Sequence, residues 1–221
     1  MRKTTLAAAV AATFVAAGAA SADHIWINEF HYDDIDADGQ EFVEVGIRTP
    51  NASGLNAGDY NVVLVNGNGN TAYNSFNLGS DFTASAAFPV AGSTNGQEVT
   101  LYSLILPSNG IQNGSPDGIA ITNASTGDVV QFLSYEGTMT FNGVDSMDVG
   151  VTESNSTAEF SSLGATGTGF GADQFGADSY VAFPATATVG LPNVGQVFAV
   201  PEPASLALLG LGGLAALRRC R

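Results

Sequence analysis

The chain has 221 residues and a formal net charge of −15, from 21 acidic and six basic residues. Five of the basic residues lie within the first three or the last four positions, so residues 23–200 contain twenty acids, one arginine (Arg48) and a formal charge of −19. Nucleic-acid binding depends on Lys and Arg side chains that neutralise phosphates, so this balance argues against that class of partner. The only cysteine is Cys220, which excludes disulfides and thiol chemistry from residues 23–200.

The first 22 residues have the layout of a secretory signal peptide. Two basic residues precede an apolar run over residues 6–17, and the small residues Ala20 and Ala22 follow before Asp23. This order of charge, apolar run and small residues is typical of an exported protein. We therefore expect a signal helix that signal peptidase removes between Ala22 and Asp23.

The long segment that follows, residues 23–200, predicts one all-β domain. Short runs of alternating or β-branched apolar residues recur, separated by glycine and asparagine, as in a sandwich or barrel. Asn66-Gly67-Asn68-Gly69 is a hairpin signal, because Asn and Gly tolerate positive φ. The glycine-rich residues 164–176 are predicted to be a loop. The seven predicted strands cover residues 24–30, 41–47, 60–66, 71–78, 97–106, 117–123 and 129–135.

An acidic loop between the first two predicted strands is a candidate calcium site. It contains Asp34, Asp36 and Asp38, at alternate positions before Gly39. Carboxylates in this pattern suit a hard cation that takes six to eight oxygens. The spacing does not fit an EF-hand, so we expect a different calcium loop in which Glu41 or Asp33 assists. The alternative interpretation is a solvated turn.

Two catalytic or metal-binding alternatives rest on weaker patterns. Glu29, His31 and Asp33 would share one face of a strand, as in a transition-metal site, but only two histidines and no cysteine stand nearby. A Gly-x-Ser-x-Gly hydrolase motif is absent from the sequence. A glycosidase built on two of the many carboxylates stays open as an alternative.

Four segments of the body form a recognisable series: WINEFHYDDIDADGQEFVEV (26–45), LPSNGIQNGSPDGIAITNASTGDVVQFLSYEG (106–137), DVGVTES (148–154) and VGQVF (194–198). Together they resemble bacterial lamin-tail-domain-like modules. The resemblance implies an immunoglobulin-like β-sandwich over residues 23–200. It also implies binding or scaffolding rather than catalysis, and no cofactor other than the calcium considered above.

The C-terminal residues 201–221 predict a membrane-directed tail. Two prolines fix φ and withhold backbone donors, so a helix can begin only after them. The uncharged residues 204–217 then predict a short hydrophobic helix, below the ~20 residues that a bilayer core requires. A terminal basic cluster predicts a cytoplasmic chain end. The residues of the motif and the cluster are Val200, Pro201, Glu202, Pro203, Arg218, Arg219 and Arg221.

This tail resembles the PEP-CTERM sorting signal of Gram-negative bacteria, which exosortase processes and which is associated with exopolysaccharide and biofilm. The resemblance implies processing near residues 201–203 while the apolar segment lies in the inner membrane. A plain membrane anchor is the alternative.

The sequence thus predicts an exported, non-catalytic protein of the cell surface or biofilm matrix. Its expected partners are signal peptidase, exosortase and matrix polysaccharide or surface proteins. A calcium-dependent adhesin and a secreted polysaccharide hydrolase are the alternative functions.

Overall fold

The structure, a computed structural model, describes residues 24–35, 39–49, 55–93 and 96–200. These residues form β-strands and two short 3-10 turns, at residues 57–59 and 177–179, and they contain no α-helix. None of them therefore belongs to a helix that could span a bilayer. The predicted signal peptide and sorting tail lie outside the described residues. Within the described residues, the predicted all-β fold is confirmed.

Sixteen strands follow one another in the described part of the chain. They are β1 (Ile25–His31), β2 (Phe42–Thr49), β3 (Tyr60–Asn66), β4 (Thr71–Asn77), β5 (Thr83–Ala84), β6 (Phe88–Pro89), β7 (Glu98–Ile105), β8 (Asp117–Asn123), β9 (Val129–Tyr135), β10 (Thr140–Phe141), β11 (Val144–Asp145), β12 (Met147–Asp148), β13 (Ser162–Ala165), β14 (Gly167–Gly169), β15 (Tyr180–Phe183) and β16 (Gln196–Phe198). All seven predicted strands are present, and β3, β8 and β9 have the predicted bounds.

Most strands belong to two sheets. The first has the order β15-β13-β1-β2-β7-β5, with β6 also paired to β7, and the second has the order β12-β9-β8-β3-β4. Most neighbours are antiparallel, while β12 runs parallel to β9. The predicted hairpin at residues 66–69 joins β3 to β4, with positive φ at Gly69 and Asn70. Two small sheets, β10-β11 and the parallel pair β14-β16, complete the fold.

The two large sheets enclose one apolar core. Ile27, Val45 and Leu101 from the first sheet belong to the same buried cluster as Leu64 and Ile121 from the second. β-branched and leucine side chains suit this position because they fill a pleated, two-sided interface well. The protein is therefore a β-sandwich, and a smaller cluster on the opposite face of the second sheet includes residues of β3, β8, β9 and β10.

β1 is buried on both of its faces. The alternation in residues 24–30 would leave every second side chain in solvent, yet all seven residues of β1 are buried. The reason is that the C-terminal segment, residues 186–198, lies against the outer face of the first sheet. Its Thr188 and Asn193 hydrogen-bond to Glu29 and to the carbonyl of Asn28.

The predicted loop over residues 164–176 was partly wrong. Ser162–Ala165 is strand β13, which pairs with both β1 and β15. An added Cβ at Gly164 would lie 2.6 Å from Asn193 Nδ2, and one at Gly169 would lie 2.5 Å from Gln174 Cβ. These glycines therefore permit close approach of neighbouring segments.

The contact between Trp26 and Gly46 gives a first testable prediction. A Cβ at Gly46 would lie 2.3 Å from Cζ2 of the fully buried Trp26. Because the indole has no room to move, Gly46→Ala should lower the free energy of unfolding by about 1–3 kcal/mol. Urea unfolding followed by the fluorescence of Trp26, the only tryptophan, measures the change.

Gly176→Ala is the matched control, since no atom lies within 4 Å of the Cβ that it would add. We expect that variant to unfold like the parent protein. Equal stability of the Gly46→Ala variant and the control would contradict the predicted steric clash.

Candidate functional site

Two buried glutamates occupy the outer face of the first sheet. Glu29 and Glu44 stand opposite each other in the β1–β2 pair, just after a register shift at Asn28. Both side chains are fully buried, although neither has a Lys or Arg partner within the described part of the chain. A buried carboxylate without such a partner depends on hydrogen-bond donors.

Three of the six groups that donate hydrogen bonds to this pair within the described residues belong to the C-terminal segment, and the other three are Asn28 Nδ2, Ser103 Oγ and Ser162 Oγ. Glu29 accepts hydrogen bonds from Thr188 N and Thr188 Oγ1, each at 3.0 Å, and from Ser162 Oγ at 2.5 Å. Glu44 accepts from Gly190 N at 2.5 Å and from Ser103 Oγ at 2.6 Å. The pair therefore fixes residues 188–190 on the sheet. A sugar could reach these carboxylates only after that segment had moved.

Burial changes the protonation of both glutamates. Loss of solvent raises the pKa of Glu29 above its ordinary value, against the opposing effect of its hydrogen bonds. The same loss of solvent raises the pKa of Glu44 to about 7. The negative charge of Glu153 raises the pKa of Glu29 further, and the negative charge of Glu29 does the same for Glu44. At neutral pH, Glu44 is thus protonated in a substantial fraction of the molecules.

A second buried cluster joins the end of β1 to the loop before β13. Glu153 Oε1 lies 2.9 Å from His31 Nδ1, and Glu153 Oε2 accepts a 2.7 Å bond from Tyr32 N. Tyr32 Oη in turn accepts from Glu153 N at 2.7 Å. His31 Nε2 lies 3.3 Å from Asp34 Oδ2. The imidazole is therefore held between two carboxylates.

These contacts set the charge of His31. Burial lowers its pKa, but the hydrogen bonds and negative charges of Glu153 and Asp34 outweigh that effect and raise the pKa above its ordinary value. Among the described residues, no three His, Cys, Asp or Glu side chains form a metal-binding group. The other histidine, His24, lies against the guanidinium of Arg48, which is stacked 3.9 Å over the ring of Phe170.

The predicted calcium residues fall into different surroundings. Asp36 and Asp38 lie outside the described residues. Asp34 Oδ1 accepts a hydrogen bond from Gly39 N at 3.3 Å, and Asp34 Oδ2 contacts His31. Glu41 accepts from Asn109 N at 2.9 Å and from Ile111 N at 2.6 Å, which ties it to the loop after β7. A calcium site on these aspartates stays a prediction.

The C-terminal end of the described chain is firmly attached to the sandwich. β16 pairs in parallel with β14, and the buried Phe198 ring lies 5.9 Å from Trp26 and 6.2 Å from Phe88. Ala91 N donates to Phe198 O at 2.8 Å, and Val200 N donates to Ala91 O at 3.0 Å. Val200, the first residue of the predicted sorting motif, is thus hydrogen-bonded to the body. Residues 201–203 and the terminal arginines lie outside the described residues.

Comparison with known families identifies this end of the chain. Residues 199–221 match the PEP-CTERM protein-sorting motif. The match confirms the predicted sorting signal and supports export of the protein and its sorting by exosortase. Searches of curated proteins and of solved structures found no match to the chain. The family match does not extend to residues 24–198, so the lamin-tail resemblance stays a prediction.

Sequence reasoning missed the two glutamate clusters. Glu29 and Glu44 were each placed in a strand, but nothing in the local pattern indicates that residues 186–198 cover them. The only signal is the acid itself, which stands among apolar residues in strands that otherwise supply the core. Glu153 gives no such signal, because it stands in a polar loop.

The raised pKa of Glu44 predicts how stability depends on pH. Between its ordinary value of 4.5 and about 7, the folded state binds more protons than the unfolded state. The free energy of unfolding should therefore fall by about 3 kcal/mol as the pH rises through this window. His31 acts in the same direction, because its stabilisation is lost as the pH rises through its raised pKa. Urea unfolding at pH 5, 6, 7 and 8 measures the fall.

Glu44→Gln separates this effect from the repulsion among surface acids. That variant removes the titrating group and keeps a side chain of the same length, so its stability should change less between pH 5 and pH 7. A parent protein whose stability is constant or increases over that range would contradict the prediction.

Proposed function

We propose that this protein is a non-catalytic binding or structural module of the bacterial envelope or biofilm matrix, delivered there by exosortase sorting. The observation that carries the proposal is the match of residues 199–221 to the sorting motif, directly after a sandwich that ends at Val200. Sorting of this kind delivers a folded domain to the outside of the cell, where it acts.

The arrangement of buried acids supports a structural role. Glu29, Glu41, Glu44, Asp117 and Glu153 each accept at least one backbone N–H, and each therefore fixes a loop or a covering segment. A carboxylate occupied in this way stabilises the fold and has fewer free lone pairs for chemistry. The resemblance to lamin-tail modules also supports binding or scaffolding.

The strong negative charge of residues 23–200 is consistent with a location outside the cell. Twenty acids and one arginine in residues 23–200 keep the body soluble and repel acidic polymers. The suitable partners are therefore neutral polysaccharides or surface proteins with basic or neutral faces.

Sorting can be tested with an epitope placed after Arg221 and a second epitope placed after Asp23. In a host that has exosortase, we expect the C-terminal epitope to separate from the body and the body to reach the surface or matrix fraction. In a host whose exosortase gene is deleted, both epitopes should stay together in the membrane fraction. Immunoblots of fractionated cells distinguish these outcomes.

A motif variant sharpens the same experiment. The double variant Pro201→Ala/Pro203→Ala should retain the C-terminal epitope. The control Pro192→Ala changes a proline of the C-terminal segment, residues 186–198, and should lose the epitope as the parent does. A C-terminal epitope that stays on the mature protein in the presence of exosortase would show a plain membrane anchor instead.

A calcium-dependent adhesin is the second proposal, and it rests on the alternating acids of the loop that begins at Asp34. Calorimetric titration of the exported protein with calcium chloride should then release heat, and Asp34→Asn combined with Asp36→Asn and Asp38→Asn should abolish it. Absence of heat from the parent protein would remove the calcium site and leave the sorting proposal intact.

A further inference from the structure

The loop between β7 and β8 is held in place by buried groups on several sides. Glu41 accepts from the backbone of Asn109 and Ile111, as described above. Tyr73 Oη accepts from Gln112 N at 2.8 Å, and Tyr135 Oη donates to Gln112 O at 2.6 Å. Glu41 is fully buried, and Tyr135 is almost completely buried. The loop conformation is therefore fixed by the core beneath it.

Asp117 links this loop to the β3–β4 turn. Its Oδ2 accepts from Gly114 N at 2.7 Å, and its Oδ1 accepts from Gly67 N at 3.0 Å. Asn66 Nδ2 also donates to Gln112 Oε1 at 2.5 Å. One buried carboxylate and one amide pair thus set the distance between the two turns.

A cleft of about 330 Å³ lies between these two turns. We call it the amide cleft, and its polar lining consists mainly of uncharged side chains. The buried Asp117 is the one charged residue in the lining, and both of its oxygens already accept backbone N–H groups. The side chains that define the cleft are Asn66, Asn68, Asn109, Gln112, Asn113 and Ser115.

Several amides of this cleft have unused hydrogen-bonding capacity. Within the described residues, the side-chain amides of Asn68, Asn109 and Asn113 form no hydrogen bond with the protein, and all three residues are exposed. Each primary amide offers two donors and an acceptor. A sugar hydroxyl likewise donates one hydrogen bond and accepts others, so amides match a polyhydroxylated ligand better than a charged or an apolar one.

We propose that the amide cleft binds a neutral glycan. This inference rests on the proposed role outside the cell and names the class of ligand for it. Acidic glycans are disfavoured by the negative charge of the body, and no cation lines the cleft to offset that charge. The cleft volume is at the lower end of the range for small-molecule sites, which suits roughly one or two units of a longer sugar chain.

The rigidity of the two turns favours binding. Ordering flexible side chains and loops reduces affinity, and a site whose backbone is already fixed avoids much of that loss. The four groups that hold the loop, Glu41, Tyr73, Asp117 and Tyr135, therefore act as positioning residues for the amides above them.

The test uses the exported protein purified from producing cells, with cellohexaose, maltohexaose and chitohexaose as neutral probes. Saturation-transfer NMR and calorimetric titration detect binding, and hexagalacturonate is the acidic comparison. We expect at least one neutral probe to bind, and hexagalacturonate to bind at least about tenfold more weakly. Failure of all three neutral probes to bind, or equal binding of the acidic probe, would overturn the proposal.

The variant Asn68→Ala/Asn113→Ala tests the location of binding. Loss of two hydrogen-bonding side chains should weaken the affinity at least about tenfold. Asn155→Ala is the control, because Asn155 is also exposed but lies outside the cleft. This control variant should bind the neutral probe with the affinity of the parent protein. Thermal unfolding followed by Trp26 fluorescence verifies that both variants are folded. Unchanged affinity of the double variant would overturn the assignment to this cleft.

The same variant separates this inference from the proposed function. If the double variant loses its C-terminal epitope and reaches the surface but binds as the parent does, only the glycan site is wrong. If the parent protein itself never leaves the membrane fraction, the proposed function is wrong, whatever the cleft binds.

Discussion

The architecture of this protein depends on buried carboxylates that have no Lys or Arg partner among the described residues. A body with twenty acids and one arginine has almost no cation to pair with an acid that enters the interior. Glu29, Glu41, Glu44 and Asp117 instead accept hydrogen bonds from backbone N–H groups that are distant in sequence, and Glu153 also contacts His31. Each acid must keep its donors, because an unsatisfied buried carboxylate is costly. Loops that would otherwise be mobile are thereby fixed in position.

The strands could be predicted because their signals are local. Alternating and β-branched residues in 60–66 and 117–123, bounded by asparagine and glycine, led to the observed bounds of β3 and β8. The hairpin at Asn66-Gly67-Asn68-Gly69 followed from the tolerance of Asn and Gly for positive φ. The sorting tail was equally accessible, since its motif, apolar stretch and basic end are contiguous.

The remaining features depend on contacts between remote residues. Glu153 and Tyr32 are 121 positions apart, and no periodic pattern connects them. Glycine density predicted a loop at 164–176, whereas Gly164 is needed because Asn193 and Phe183 approach its backbone closely. The amide cleft likewise joins two turns, around Asn68 and around Asn113, that the sequence shows only as separate turns. Its polar lining could not be recognised until the sandwich brought those turns together.

The hydrogen bond between Val200 and Ala91 limits the positions that the C-terminus can take after processing. Each residue of an extended chain spans at most ~3.6 Å, so a cut within residues 201–203 leaves the new C-terminus within roughly 10 Å of the sandwich. A tether this short would allow the domain little rotation relative to its C-terminus. Any surface that held this C-terminus would therefore face the side of the sandwich that carries Ala91 and β16.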